Sequence, residues 1–414
     1  MRLAVFTNQF PSHVSTFFAR DISGLLRAGV DVDILPFYPL DPTLWRYVPD
    51  ILSADALPRT KVHHTALRNG VGYARSKQFR KLGTLIRHTA AASFSAARFG
   101  VVPVIKSVYV SLKASAWAQQ YPNNYDHILA YWGHYAATGA YLFHHLTNCR
   151  IPFSIFVHAG IDLYQSPAQL RRKFLYADNI ITCSDFNRQF ICSRLSDICQ
   201  VVSAKIYVHH HGLDLAEYTY QPNYRSARTI LAVGSLEKYK GFDYLLRAIG
   251  ELHSRGCDLD VWLLGDGGQA EALRRLANEM QIAERVRFQG WVRPAEVCDA
   301  MRQATILVHP SSELADGVPN VIKEAMAVGL PVVASGVAGI PELLQNGAHG
   351  VLVPPRNVTA LANAVEGLLL NDSLRSQYAD AARKYIERMF DVWERGRCLA
   401  GLLRATRRPA RKHC

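Results

Sequence analysis

The sequence predicts an α/β chain of two doubly wound, Rossmann-like domains facing a deep interdomain cleft. Three observations carry this. The chain has 414 residues, too long for one ordinary core and enough for two domains of roughly 200 residues each. Short apolar runs alternate with amphipathic helical stretches, first from Arg2 and again from Thr229, which is the pattern of parallel sheets built from βαβ units. Between the two arrays, His210–Ser226 turns polar and contains proline, which marks the joint.

The elements follow in order. A strand at Arg2–Thr7 leads through a loop, Asn8–His13, into a helix near Ser15–Ala28 that Gly29 ends, and Val30–Phe37 is the next strand. A basic, mostly helical segment, 59–119, comes next. Strands at Asp126–Trp132, Pro152–Val157, Asn179–Cys183 and Lys205–His209 alternate with helices at Tyr135–Thr147 and Asp185–Arg194. The second array has strands at Thr229–Val233, Asp260–Leu264, Val286–Phe288, Thr305–His309, Val332–Ala334 and Gly350–Val353. Its helices are Phe242–His253, Gln269–Gln281, Pro294–Arg302, the run ended by Gly329 and Pro331, and those from Val358 to Phe390. The expected domains are 1–215 and 216–385, with 386–414 a helix and basic tail packing back on the first. Ligands of such sheets bind beyond the C-terminal strand ends, so chemistry is expected in the loops that follow strands.

Composition narrows the class. At 49% hydrophobic and 20% charged residues the chain is globular and not disordered. It lacks a run of about 18 apolar residues, so no transmembrane helix is expected. The apolar run Leu3–Phe6 is too short for a signal peptide. Eight cysteines without CxxC spacing suggest reduced thiols and a cytoplasmic setting. Net charge is +13, and no acidic residue occurs between Asp55 and Asp126. That stretch carries basic residues from Arg59 to Lys113, including Arg68, Arg75, Lys77, Arg80, Lys81, Arg87, Arg98 and Lys106, interleaved with aromatic and aliphatic side chains. The tail repeats the theme with Arg404, Arg407, Arg408, Arg411 and Lys412. An anionic membrane attracts such segments by about 1 kcal/mol per basic residue near its surface, so Arg59–Lys113 is expected to hold the protein at the inner face of the membrane. A solvated basic face over packed helices is the plainer reading. No helix-turn-helix, zinc-finger or RNP pattern accompanies the charge, so nucleic acid is not an expected partner.

Several loops after strands carry candidate chemistry. Ser311–Ser335 places Asp316 and Gly317 just before a helix and Glu324 upon it. Carboxylates bind hydroxyls and helix-start amides bind phosphates, so this segment suits a sugar nucleotide. After Val233 come Gly234 and Ser235, with Lys240-Gly241 opening the next helix, where a lysine suits a diphosphate. Gly265, Gly267 and Gly268 let backbone approach a ligand, although glycines also serve ordinary turns. Their spacing is not a dinucleotide fingerprint, and no GxxxxGK[ST] occurs. Gly290, Trp291 and Val292 suit a wall for a flat base, or a packed rim. His158, at a strand end, suits a contact to a sugar hydroxyl or a reactive oxygen, or simple packing. His209-His210-His211 lacks metal-site spacing, and Asp31-x-Asp33 and Asp258-x-Asp260 flank strand starts, the wrong end for a site. No metal is expected.

Together these loops resemble family-four glycosyltransferases of the GT-B fold. The segments VGSLEKYKGFDYLLRAI, LLGDGG, RVRFQGWV, HPSSELADGVPNVIKEAMAVGLPVVASGVAGIPELL and GVLVPPRN occur in that family's order. FVHAGID, CSDFNRQFI and HHHGLDLAEY in the first half are similar to its exopolysaccharide and lipid-linked oligosaccharide subgroup. The resemblance implies retaining transfer of a hexose-type sugar from a UDP- or GDP-linked donor to a glycan or polyprenyl-linked acceptor, without metal or other cofactor. It implies that Asp316 and Glu324 are the E-x7-E pair, binding donor sugar and ribose, and that Lys240 holds the diphosphate. It assigns phosphate amides to Gly317, Val318, Pro319 and Asn320, the base to Trp291 and Val292, and the donor sugar near the reacting centre to His158. Two positions depart from the pattern. Ser235 stands where the family has Arg, for which Lys238 or Arg293 are the available substitutes, and Asp316 replaces the usual Glu. A nucleotide-sugar epimerase of the same fold, and a weakly active or binding-only relative, are the alternatives.

Overall fold

Two six-stranded parallel sheets organise the chain. The computed structural model describes residues 1–12, 16–48, 52, 57–67, 69, 79–165, 170–222 and 228–406. Of the basic residues singled out above, Arg68, Arg75, Lys77, Arg407, Arg408, Arg411 and Lys412 lie outside these, as do His13 and Ser226. Elements run in the order β1 (Arg2–Thr7), α1 (Thr16–Arg27), β2 (Asp31–Pro36), α2 (Phe79–Ala97), α3 (Val101–Gln120), β3 (His127–Tyr131), α4 (Tyr135–Leu146), β4 (Phe153–Val157), α5 (Arg171–Tyr176), β5 (Asn179–Thr182), α6 (Asp185–Arg194), α7 (Ser196–Val202) and β6 (Ile206–Val208). There follow β7 (Thr229–Val233), α8 (Phe242–Ser254), β8 (Asp260–Leu264), α9 (Ala270–Glu279), β9 (Val286–Gly290), α10 (Pro294–Gln303), β10 (Ile306–His309), α11 (Asn320–Val328), β11 (Val332–Ser335), α12 (Ile340–Leu343), β12 (Val351–Val353), α13 (Val358–Leu369), α14 (Asp372–Met389) and α15 (Val392–Ala405).

The chain divides into a first unit, Met1–Gly212 with Val392–Cys414, and a second, Leu213–Asp391. Boundaries expected at 215 and 385 thus fall at Gly212 and Asp391. The first sheet has the order β2-β1-β3-β4-β5-β6. Along β1, Leu3 and Val5 enter one core while Ala4 and Phe6 enter another. Successive side chains point to opposite faces, so this strand is apolar throughout because helices cover both faces. α15 belongs to this unit and packs against α1. A Cβ on Gly396 would lie 2.4 Å from the Gly24 Cα, so the two helices touch backbone to backbone. Leu399, Ala400 and Leu403 join the core that Phe18, Ile22 and Leu25 build.

Lys113 corrects one sequence expectation. Counted there in a basic surface segment, it is buried, and its Nζ donates to Phe37 O at 2.5 Å. Burial lowers its pKa to about 8. Lys61 is likewise engaged, by Asp31 at 2.6 Å. The DxD pairs are engaged too: Asp33 forms an ion pair with Arg2 and a hydrogen bond with His63, and Asp258 forms an ion pair with Arg285. Among the described residues no group of three or more His, Cys, Asp or Glu is placed to hold a metal, and no helix is long and apolar enough to cross a membrane.

The second sheet has the order β12-β11-β10-β7-β8-β9. β7 pairs with both β8 and β10, so chain direction across the sheet reverses at the β7–β10 boundary. In doubly wound sheets the ligand crevice opens at this switch point.

Candidate active site

Topology brings the two most informative loops of the second unit together. β7 and β10 are neighbours although β8 and β9 intervene in sequence, so the loops leaving their C-terminal ends converge. Ser312 N donates to Tyr239 O at 2.8 Å. Gly241 has φ +68°, and a Cβ there would lie 2.2 Å from Pro310 O. Only glycine fits both that backbone conformation and that approach.

Lys240 ends a short 3-10 turn, Lys238–Lys240, ahead of α8. Its Nζ donates to Asp316 Oδ1 at 2.7 Å across 76 positions of sequence. Asp316 Oδ2 accepts from His309 Nε2 at 2.5 Å and also from the Ser311 hydroxyl. The His309 side chain is 1% exposed, that of Asp316 11% and that of Lys240 13%. Burial alone would raise the Asp316 pKa. The His309 imidazole, the Lys240 ammonium and their hydrogen bonds outweigh it and hold the carboxyl far below its ordinary value. Asp316 is therefore a permanent anion with three donors already on it. A carboxylate offers about four acceptor positions, so roughly one is left for a ligand hydroxyl. Sequence reasoning gave Asp316 to the sugar and overlooked His309 and Ser311, which bracket the proline of the quoted HPSS segment.

The remaining donor residues surround this cluster unequally. Gly317 O accepts from Gly339 N at 3.0 Å, anchoring the loop ahead of α11. Val318 packs partly against the core, and Pro319 leads into the helix, whose first amides have no partner within it. Asn320 Oδ1 is buried without a hydrogen-bond partner. Glu324, on the same helix, is half-buried. Gly265 and Gly267 have a different reason from the one expected: a Cβ on Gly265 would lie 1.8 Å from Gly234 O, and one on Gly267 2.8 Å from Leu236 N. These glycines let the loops after β7 and β8 pack on each other. Trp291 follows β9, the edge strand two places from β7, and is 63% exposed, while Val292 packs partly inward. Ser235 is exposed, its Oγ 3.5 Å from the Tyr239 hydroxyl. Arg293, one possible substitute for the missing arginine, is paired with Glu296 at 2.9 Å on the start of α10.

His158 belongs to the first unit, at the end of β4. Its ring stacks on those of Phe156 and His211, with centroids 4.6 and 5.0 Å away. Phe17 and Trp132 also border it. It is buried, and neither ring nitrogen has a hydrogen-bond partner. Asp162 positions it: Oδ2 accepts from His158 N at 2.8 Å and Oδ1 from Gly133 N at 2.5 Å, tying the ends of β3 and β4 together. Beneath, Asp21 Oδ2 accepts from the Tyr131 hydroxyl at 2.6 Å and pairs with His211 Nδ1 at 2.8 Å. Asp162 closes the quoted HAGID segment and His211 ends the His triplet, so both were visible in sequence but had no assigned role.

Comparison with known proteins adds to this geometry. The family described as Glycosyl transferases group 1 matches residues 227–371, which hold Lys240, Asp316 and Glu324. That match lies within the second unit. An uncharacterized glycosyltransferase of Haemophilus influenzae is 32% identical over 173 residues, 40% of this chain and about half of the relative, at 48%. The putative colanic acid biosynthesis glycosyltransferase WcaL of Escherichia coli is 26% identical over 426 aligned positions, 98% of this chain and 100% of the relative. The structure of Anabaena Alr3699/HepE in complex with UDP superposes with a TM-score of 0.73 at 17% identity, covering 98% of this chain and 99% of that one. The chain thus shares the GT-B fold with its structural neighbours, and the two relatives named are both called glycosyltransferases.

Proposed function

We propose that the protein is a glycosyltransferase that moves a hexose-type sugar from a UDP- or GDP-linked donor to a hydroxyl of a glycan or polyprenyl-linked acceptor in polysaccharide biosynthesis, with retention of anomeric configuration. The observation that carries this is Lys240 held by Asp316 at the β7–β10 switch point, 2.7 Å apart, beside the start of α11. An ammonium has three N–H groups; with one on Asp316, two remain for a diphosphate. Helix-start amides supply further donors to it, and the orphan Asn320 Oδ1 beside them can accept from a ligand hydroxyl. A colanic acid and an amylovoran biosynthesis enzyme are full-length relatives, and a structural neighbour binds UDP-glucose. Relatives named as glycosyltransferases favour transfer over the epimerase and binding-only readings.

In the step, the bond from the anomeric carbon to the β-phosphate oxygen breaks. The acceptor oxygen bonds to that carbon on the same face, and its proton passes to the departing phosphate. The protein's part is positioning and charge stabilisation. Lys240 and the α11 amides meet the charge that grows on the diphosphate, without a metal. His158 holds the sugar near the reacting carbon, Glu324 the ribose, and Trp291 with Val292 the base. Asp316 keeps its remaining acceptor position for a sugar hydroxyl. The enzyme works in the cytoplasm at the inner membrane face, where the basic segment within Arg59–Lys113 meets anionic lipid.

A panel of nucleotide sugars in a thermal-shift assay identifies the donor, since a bound ligand stabilises the folded state by mass action. With that donor, Lys240→Met should lower turnover by about 10²–10³-fold, the scale for removing one donor from a developing charge. Undiminished transfer by this variant would end the assignment.

A further inference from the structure

α2 and α3 form a helical hairpin with apolar side chains on both faces. The inward faces set Leu85, Val110, Ala114 and Trp117 into the core of the first unit, with polar groups among them. His88 is buried on α2, its ring nitrogens facing the Tyr141 hydroxyl at 2.7 Å and the Arg87 guanidinium at 3.1 Å. On α3 the buried side chains include Ser107, Ser111, Ser115 and Lys113. The two Ser hydroxyls of Ser107 and Ser111 bond back to carbonyls one turn earlier, at 2.8 and 2.7 Å. The outward faces carry apolar side chains as well: Ile86 and Phe94 on α2, Phe99 at the turn, and Val101, Val102 and Ile105 on α3. Phe94 is 80% exposed and Val101 73%. Single exposed apolar residues need no explanation, but a contiguous set on one hairpin marks an interaction surface.

The charges name the partner. No carboxylate occurs from 79 to 120, while Arg87, Arg98 and Lys106 accompany the apolar set. A second copy of the hairpin would bring cations against cations. A bilayer with anionic headgroups instead offers acyl chains to the apolar side chains and phosphates to the basic ones. We infer that the α2–α3 hairpin inserts its tip into an anionic bilayer, with Phe94, Phe99, Val101, Val102 and Ile105 entering the acyl boundary and Arg87, Arg98 and Lys106 lying at the phosphates. This rests on the membrane-surface reading above and deepens it: adsorption by charge alone needs no apolar contact.

The test uses the full chain with vesicles of phosphatidylcholine, with and without phosphatidylglycerol. Wild type should bind the anionic vesicles. Substituting Phe94→Ser, Phe99→Ser and Ile105→Ser together should weaken partitioning by about tenfold or more. All three sites are exposed, so the thermal transition should stay in place. Arg98→Gln and Lys106→Gln should each cost about fivefold on anionic vesicles. A Phe94→Trp chain should gain fluorescence quenching over wild type when the acyl chains are brominated. If the triple serine variant binds as wild type does while the glutamine variants do not, insertion is overturned and adsorption by charge survives. If wild type binds no vesicle, both readings fall. If serine substitution instead abolishes a concentration-dependent dimer and leaves vesicle binding unchanged, the hairpin is a self-association surface and the inference is overturned.

Discussion

Replacing Asp316 with alanine separates the two roles its carboxylate is given. The side chain is nearly buried and accepts from Lys240, His309 and Ser311. Asp316→Ala leaves an ammonium that is 13% exposed, and an imidazole that is 1% exposed, without their acceptor. Removing one member of a buried ion pair costs about 3–5 kcal/mol, because the other charge stays desolvated and unpaired. For a unit of 150–250 residues, 1 kcal/mol shifts Tm by about 2–4 °C, so Asp316→Ala should lower the transition of the second unit by about 6–20 °C. Adding Lys240→Met removes the stranded charge. The double variant should then be more stable than the two single losses sum to, by about 1 kcal/mol or more. Differential scanning calorimetry without ligand reads both quantities, and donor turnover is measured alongside. If Asp316→Ala unfolds at the wild-type temperature while turnover is lost, the carboxylate serves the ligand and not the fold, and the reasoning from its three donors is refuted.

Acid should weaken the first unit. Burial lowers the pKa values of His88 and His209 to about 4 and of His145 to about 2, from an ordinary value near 6.5. Between about pH 6.5 and 4 the unfolded chain protonates these rings and the folded chain does not, so up to three protons are taken up on unfolding. Stability therefore rises with pH through that window and falls on acidification; urea midpoints that stay level from pH 7 to 4.5 would contradict it. Gly396→Val should force α1 from α15, because even a Cβ there lies 2.4 Å from the Gly24 Cα. Overpacking costs about 1–3 kcal/mol or more. Limited proteolysis should then release the C-terminal segment faster than from wild type, and equal rates would show that the helices adjust freely.

Much of the site was legible because periodicity and turn residues report local structure. Strands such as Thr229–Val233 and Asp260–Leu264 were readable as buried runs, and both stand at those residues. Gly241 and Gly329, at positive φ, end or begin helices where a turn was expected. Lys240 and Asp316 were readable as separate candidates on separate loops. Gly265 and Gly267 were read as room for a ligand or as ordinary turns, and a Cβ on either would meet the loop after β7. A glycine in sequence states only that a Cβ is not tolerated, not what would meet it.

Local sequence was enough to mark the two α/β arrays, the loops that follow their strands and the spacing that puts Asp316 before α11 and Glu324 upon it. These depend on residues near one another in the chain, where hydrophobic period and backbone preference act. The folded chain, not the local sequence, puts β7 beside β10 and so lets Lys240 reach Asp316. It alone showed that His309 and Ser311 already bond that carboxylate, and that Lys113 is an internal hydrogen-bond donor. It also decided which faces of α2 and α3 point outward. A helix with apolar side chains on both faces does not say in sequence which of them meets the core, and a buried lysine reads like a solvated one. Packing belongs to the folded chain: it brings His309 and Lys240 to Asp316, which keep that carboxyl ionised against its burial, and it leaves Phe94 exposed.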